Sequence, residues 1–294
     1  MVYTIENEYL SVSAETLGAQ LSSIRSKRTG TEYLWQGDPA YWTGRAYNLF
    51  PIVGRLYDDK YEYGGKIYEM KPHGFARKTE FTLCEKSGTE MIFAISSTDE
   101  TKKQYPFDFI FRIRYSIAKS RLTVMYEVKN VGKNEMYFGL GGHPGFNVPF
   151  DGGSFEDYYL RFGDRCTPRL LGFGKNVLMS GEEREYPLTD GNILPLKHDL
   201  FSFDALVLKG ACRRLEICGR HTKRSVGVEF PGMKYLGIWH KPCTDASYVC
   251  IEPWENLPSY EGNIEKLNEK DGIGVVGAGE TYYSPIAITV NEEA

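Results

Sequence analysis

The stretch FDFIFRIRYSIAKSRLTVMYEVK, from Phe107 to Lys129, decides the fold. Its first half places Phe107, Phe109, Phe111, Ile113, Tyr115 and Ile117 at every second position, with Arg112, Arg114 and Ser116 between them. Successive side chains of a strand point to opposite faces, so this is the pattern of a strand with one face in the core and the other in water. Ala118-Lys119-Ser120-Arg121 then interrupts the run, and the apolar phase moves to Leu122, Val124, Tyr126 and Val128, alternating with Thr123, Glu127 and Lys129. The two halves read as a long antiparallel hairpin.

Outward from the hairpin the same pattern recurs. A strand from Met136 to Leu140 follows, and others are expected at Tyr61 to Tyr68, Glu80 to Glu85, Met91 to Ser96, Ala205 to Leu208, Ser225 to Phe230, Tyr248 to Ile251 and Ser284 to Val290. Turn formers such as Gly64-Gly65, Ser87-Gly88 and Pro231-Gly232 punctuate them. No window of 12 or more residues carries a 3.6-residue apolar stripe, and only Tyr260 to Lys270 suggests a short helical turn region. No repeat, low-complexity segment or linker-like shift in composition divides the chain, so residues 1–294 are expected to form one all-β, antiparallel domain.

Composition narrows the function. The 294 residues are 41% hydrophobic, enough for a sizeable core, and the net charge of −4 comes from interspersed acids and bases. That leaves no field of one sign to hold nucleic acid or an anionic membrane. No basic region followed by an apolar run opens the sequence and no stretch of about 18 apolar residues occurs, so a soluble cytoplasmic protein is expected. The six cysteines include no CxxC pair and read as reduced thiols. Aromatic content of 14%, with 21 tyrosines, suits broad sheet faces. It also suits sugar binding, since aromatic rings cover the apolar C–H faces of a pyranose, although most rings are expected in the core.

Three segments carry candidate chemistry. Gly141-Gly142-His143-Pro144-Gly145-Phe146 fences an imidazole with glycines and a proline, which predicts a sharp turn that exposes the ring. Asn48 to Leu56, with Gly54-Arg55, is followed by Lys71-Pro72-His73-Gly74-Phe75-Ala76-Arg77. In Tyr248 to Glu255 a strand is expected to stop at Pro253 and leave Glu252 at its end, aimed into a cleft. Each alone is an ordinary turn or surface charge.

Together, Phe50-Pro51-Ile52-Val53-Gly54-Arg55-Leu56, His73-Gly74-Phe75-Ala76-Arg77, Gly142-His143-Pro144-Gly145-Phe146 and Cys250-Ile251-Glu252-Pro253-Trp254 closely resemble the aldose 1-epimerase (galactose mutarotase-like) family, nearest to its lactose-operon-associated branch. The resemblance runs from about Tyr3 to Val290. It implies a β-supersandwich that binds a small-molecule sugar and interconverts its α and β anomers without a cofactor. It also implies His143 as general acid, Glu252 as general base, and Arg55, His73 and Asp204 as substrate-binding residues. Opening a hemiacetal requires a base for the C1 hydroxyl and an acid for the ring oxygen, and a His/Glu pair supplies both.

Two alternatives compete. A hexose-6-phosphate 1-epimerase would need extra cations, for which Arg77, Lys78 and Lys241 are candidates. A non-catalytic carbohydrate-binding protein would have no need of an acid beside a base. Lys78, Tyr47 after Ala46, and the run from Glu255 to Tyr260 depart from the branch pattern and bear on sugar specificity. Glu255 is a rival base, His240 in Trp239-His240-Lys241-Pro242 is a candidate for the pocket border, and His198 and His221 are expected in solvent. No His-x-His or His-x3-His spacing marks a metal site, and neither GxGxxG nor a P-loop is present.

Overall fold

The computed structural model describes residues 1–292. The Phe107–Lys129 pattern forms the expected hairpin, Phe109–Ala118 paired antiparallel with Arg121–Asn130, and Phe109, Phe111, Ile113, Tyr115 and Ile117 all turn into the core. This hairpin sits inside a nine-stranded sheet. On one side lie Glu90–Ser96 and Thr82–Lys86, and on the other Thr281–Asn291, Ser225–Glu229, Arg214–Gly219, Tyr158–Phe162 and Ile193–Pro195.

A seven-stranded sheet covers it, in the order Met179–Glu185, Arg169–Phe173, Leu206–Lys209, Tyr235–Trp239, Tyr248–Trp254, Gly141–Asn147 and Ala46–Leu49. Every paired neighbour in both sheets is antiparallel. The two sheets meet closely at Gly142, where a Cβ would lie 2.7 Å from Ile286 Cδ1 and 3.1 Å from the Tyr126 hydroxyl. Asn48, buried on the same rear face, ties the layers together. Its amide donates to the carbonyls of Gly18 and Ala19 at 2.9 and 3.1 Å, and its oxygen accepts from Tyr126 at 2.9 Å. The other face of the seven-stranded sheet is left to build a site.

Four expectations need correction. The Tyr61 to Tyr68 segment is two strands, Lys60–Tyr63 and Lys66–Glu69, because Gly64 and Gly65 both take left-handed φ and turn the chain. The Tyr260 to Lys270 region forms only a 3-10 turn at Leu267–Glu269. The one α-helix among the described residues is Asp99–Gln104, which buries no residue and is held by a Thr98/Thr101 capping box instead. His143 does not stand in an exposed turn. It lies within the strand Gly141–Asn147 and is 7% exposed, since the glycines serve close packing: a Cβ on Gly145 would meet Trp42 at 3.1 Å.

Candidate active site

The strand holding Glu252 also runs past its proline, to Trp254. Gly141 pairs with Trp254 and Gly145 with Cys250, a register that sets His143 opposite Glu252. Pro144 and Pro253 have no N–H to give, which leaves the ladder open between these two anchor points. On its other side His143 pairs with Tyr47, and Glu252 pairs with Gly237, where a Cβ would crowd Glu252 at 3.1 Å. One face of four adjacent strands therefore presents Tyr47, His143, Glu252 and, past Gly237, Trp239.

His143 Nε2 lies 3.3 Å from Glu252 Oε2. The two residues sit side by side, not on opposite walls of the cleft. Burial pushes the His143 imidazole well below its ordinary range, with His73 and Arg77 adding to the effect. Burial likewise pushes the Glu252 carboxyl well above its ordinary range, reinforced by Asp204. Both shifts favour a neutral imidazole beside a protonated carboxyl over the separated charges, and the two titration steps belong to the dyad. Nδ1 of His143 has no hydrogen-bond partner, so rings fix the imidazole instead: Trp42 stacks on it at 4.9 Å between centroids, and Trp239 and His73 meet it edge-on at 5.7 Å each.

The loop carrying Arg55 is bound to the turn carrying His73. Gly54 N–H donates to His73 Nδ1 at 3.2 Å, and His73 N–H donates to the Gly54 carbonyl at 2.8 Å. Burial, with Arg77 and Arg55 nearby, pushes His73 down to about 3, so its ring is neutral and its remaining proton is on Nε2 as a donor. Gly54, at φ +70°, lies where a Cβ would meet Pro258 at 2.3 Å, which ties this loop to the segment after Glu252.

A cleft of about 350 Å³ has Arg55, His73, His143, Asp204 and Glu252 in its lining, so the fold brings all five expected residues together. Asp204 is half-buried and its carboxyl is raised by burial, against opposing pulls from the Ala205 backbone, Trp239 and Arg55. Arg77 joins the wall, 5.2 Å from the Tyr47 ring centroid, and is in no ion pair among the described residues. Sequence reasoning did not single out Trp42, Phe173, Val177 or Trp239, which also line the cleft. Trp239 stands two residues beyond Gly237 on the strand beside Glu252, a position that the register reveals and the sequence alone does not.

The remaining candidates fall elsewhere. Glu255 is buried and faces away, accepting from Tyr282 at 2.5 Å and Ser284 at 3.3 Å. His240 is fully buried outside the cleft, 3.1 Å from His198, which stacks on Phe155 at 4.3 Å instead of facing solvent. His221 is exposed, and Lys78 and Lys241 do not line the cleft. All six cysteines are free thiols. Cys250 brings its sulfur within 4.8 Å of ligand atoms on His143 and Glu252, a grouping that sequence spacing does not reveal. Burial pushes that thiol well above its ordinary range, which disfavours the thiolate a metal would need. No helix among the described residues is long and apolar enough to cross a membrane.

Known proteins share this architecture. A solved structure of a galactose mutarotase related enzyme from Lactobacillus acidophilus is 32% identical, with a TM-score of 0.93 over 99% of this chain and 98% of that one. A galactose mutarotase-like protein from Lactobacillus casei is 30% identical, with a TM-score of 0.93 over 99% of this chain and 100% of that one. The LacX protein of Lactococcus lactis subsp. lactis is 34% identical over 99% of both chains. The sequence pattern of the family described as aldose 1-epimerase matches residues 1–288, and the chain belongs to that family.

Proposed function

We propose that the chain interconverts the α and β anomers of a hexose by opening and reclosing its ring, with His143 as general acid and Glu252 as general base. The observation that supports this most is the 3.3 Å contact between a histidine and a carboxylate in a cleft lined by hydrogen-bonding groups. The C1 hydroxyl and the ring oxygen share one carbon, so a side-by-side pair reaches both. With the dyad's proton on His143, Glu252 takes the proton of the C1 hydroxyl while His143 delivers its own to the ring oxygen, and the C1–O5 bond breaks. Rotation about C1–C2 presents the other face of the aldehyde. Reclosure reverses both transfers and restores the starting protonation, so each turnover leaves the dyad ready for the next.

Arg55, Asp204 and the Nε2–H of His73 hold sugar oxygens in this reading, each contributing on the order of 1 to 3 kcal/mol. The arginines and His73 also stabilise charge building on the ring oxygen. A second reading, a hexose 6-phosphate as substrate, is favoured by one observation. Arg77 lines the cleft with its buried Nε unpartnered and no ion pair among the described residues. Saturation-transfer NMR on glucose, galactose, xylose and the hexose 6-phosphates tests both. Accelerated exchange of free hexoses is expected; acceleration of the phosphorylated sugars alone would select the second reading, and acceleration of none would leave sugar binding without catalysis.

A further inference from the structure

Trp254 closes the motif that holds the base, yet it has no part in the ring-opening steps. Its side chain and that of Glu252 leave the strand Tyr248–Trp254 on the same face, two residues apart, and both line the cleft. Trp254 is 4% exposed, and its buried Nε1–H has no hydrogen-bond partner among the described residues. Leaving a buried donor unpaired is costly, and native folds rarely do so without a use for it.

Two glycines locate the N–H edge of the ring. Trp254 pairs with Tyr235, but its indole leans back along the strand over Gly237, the register partner of Glu252. Indole Cζ2 and Cε2 lie 2.9 and 3.2 Å from where a Gly237 Cβ would stand, and Glu252 Cβ lies 3.1 Å from the same point. Cδ1, on the other side of Nε1, lies 3.0 Å from the Cβ position of Gly141 on the opposite neighbouring strand. The edge that carries the N–H therefore crosses the strand from Gly141 to Gly237, with Glu252 beside it. Burial and Asp204 hold the Glu252 carboxyl up, and the Trp254 side chain is the group that pulls it down. The other titratable groups around Glu252 are His143 at 3.3 Å on the neighbouring strand, and Cys250 and Tyr248 on its own.

Ring opening needs the less stable form of the dyad, with the proton on His143 and the charge on Glu252. A donor beside the carboxylate stabilises that form and does little for the neutral pair. We propose that Trp254 is a positioning residue for the base, its indole N–H donating to the Glu252 carboxylate whenever that group is charged. This rests on the proposed ring-opening reaction.

The test has two readouts. In the wild type, labelled with nitrogen-15 in its four tryptophans, the indole cross-peak that is missing from Trp254→Phe is followed by NMR from pH 5 to 10. It is expected to move downfield as Glu252 ionises, and to stay in place in Glu252→Gln. A peak that does not titrate, or titrates equally in Glu252→Gln, would overturn the contact whether or not the chain is active. Separately, Trp254 is replaced by 3-benzothienylalanine, which keeps the bicyclic shape and puts sulfur where the N–H was. Its kcat for anomeric exchange of glucose is expected to fall about 10- to 100-fold, the scale of one hydrogen bond to a charged group, with KM changed less than about threefold. An unchanged kcat, or a rise in KM alone, would overturn the positioning role and in the second case give the N–H to the sugar. Exchange of no sugar by the wild type would overturn the ring-opening reading and with it the role, while the titration still decides the contact.

Discussion

Replacing Arg77 by methionine is expected to move the acid limb of the pH–rate profile upward. The active form of the dyad holds one proton, and acid removes activity by adding a second, which leaves no base. That step occurs well below pH 6.5, because burial opposes an imidazolium at His143 and the positive charge of Arg77 opposes it further. Removing the charge makes the imidazolium less unfavourable, so the step shifts to higher pH. At an effective dielectric near 20, a nearby unit charge is worth on the order of 1 to 2 kcal/mol, or about 0.7 to 1.5 pKa units. Water reaches the half-buried Arg77 side chain and screens it, which brings the expected shift to about 0.5 to 1 unit. The assay is kcat/KM for anomeric exchange from pH 4 to 9, after subtracting the spontaneous, buffer-catalysed rate. A wild-type acid limb at or above pH 6.5, or a limb that stays in place or moves down in Arg77→Met, would refute the reasoning.

Two further predictions concern the scaffold. His73 and His240 are pushed down to about 3 and about 4, so the unfolded chain takes up protons below pH 6.5 that the folded chain refuses. Their stabilising contribution is therefore present above pH 6.5 and lost as pH falls toward 4, by at most about 1.4 kcal/mol per pH unit for each group. The raised carboxyls of Glu252, Asp204 and Glu255 act in the opposite direction over the same range, so the check is comparative. Between pH 7.5 and 4.5 urea melts should show the wild type losing up to about 2.7 kcal/mol more than His240→Gln, and an identical pH response of the two would contradict the depressed titration of this ring. Asn48→Ala removes the buried amide that joins the two sheets and leaves the Tyr126 hydroxyl without its acceptor, at a cost of at least about 2 kcal/mol. A melting midpoint within a degree of the wild type would show that the network contributes little.

The fold was legible where one face is wet and the other dry. Apart from Glu127, which is buried beside Arg114, the Phe107–Lys129 alternation matches the burial of its side chains because both strands sit at a boundary between core and solvent. It was least legible around His143, where Gly141, Gly142, Pro144 and Gly145 carry the marks of a loop. Those glycines are there because Tyr126, Ile286, Trp42 and Trp254 pack against the strand, and neighbours this distant in sequence leave no local signal. The helix Asp99–Gln104 escaped for the opposite reason, since an element with no buried residue has no apolar stripe. The five expected site residues were legible from four motifs together, none of which identifies the site alone. Their pairing depends on register, which sets His143 opposite Glu252, and the aromatic box depends on Trp42 and Trp239 converging from opposite ends of the chain.

The central claim is that His143 and Glu252 move the two protons of ring opening. Its most direct test is anomeric exchange of a substrate of the wild type, glucose or galactose, by saturation-transfer NMR with His143→Ala and Glu252→Gln, each confirmed folded by circular dichroism. Each variant is expected to lose at least about 100-fold in kcat, the usual scale for a general acid or base. A folded variant that exchanges anomers at a near-normal rate would contradict the role assigned to the residue it lacks.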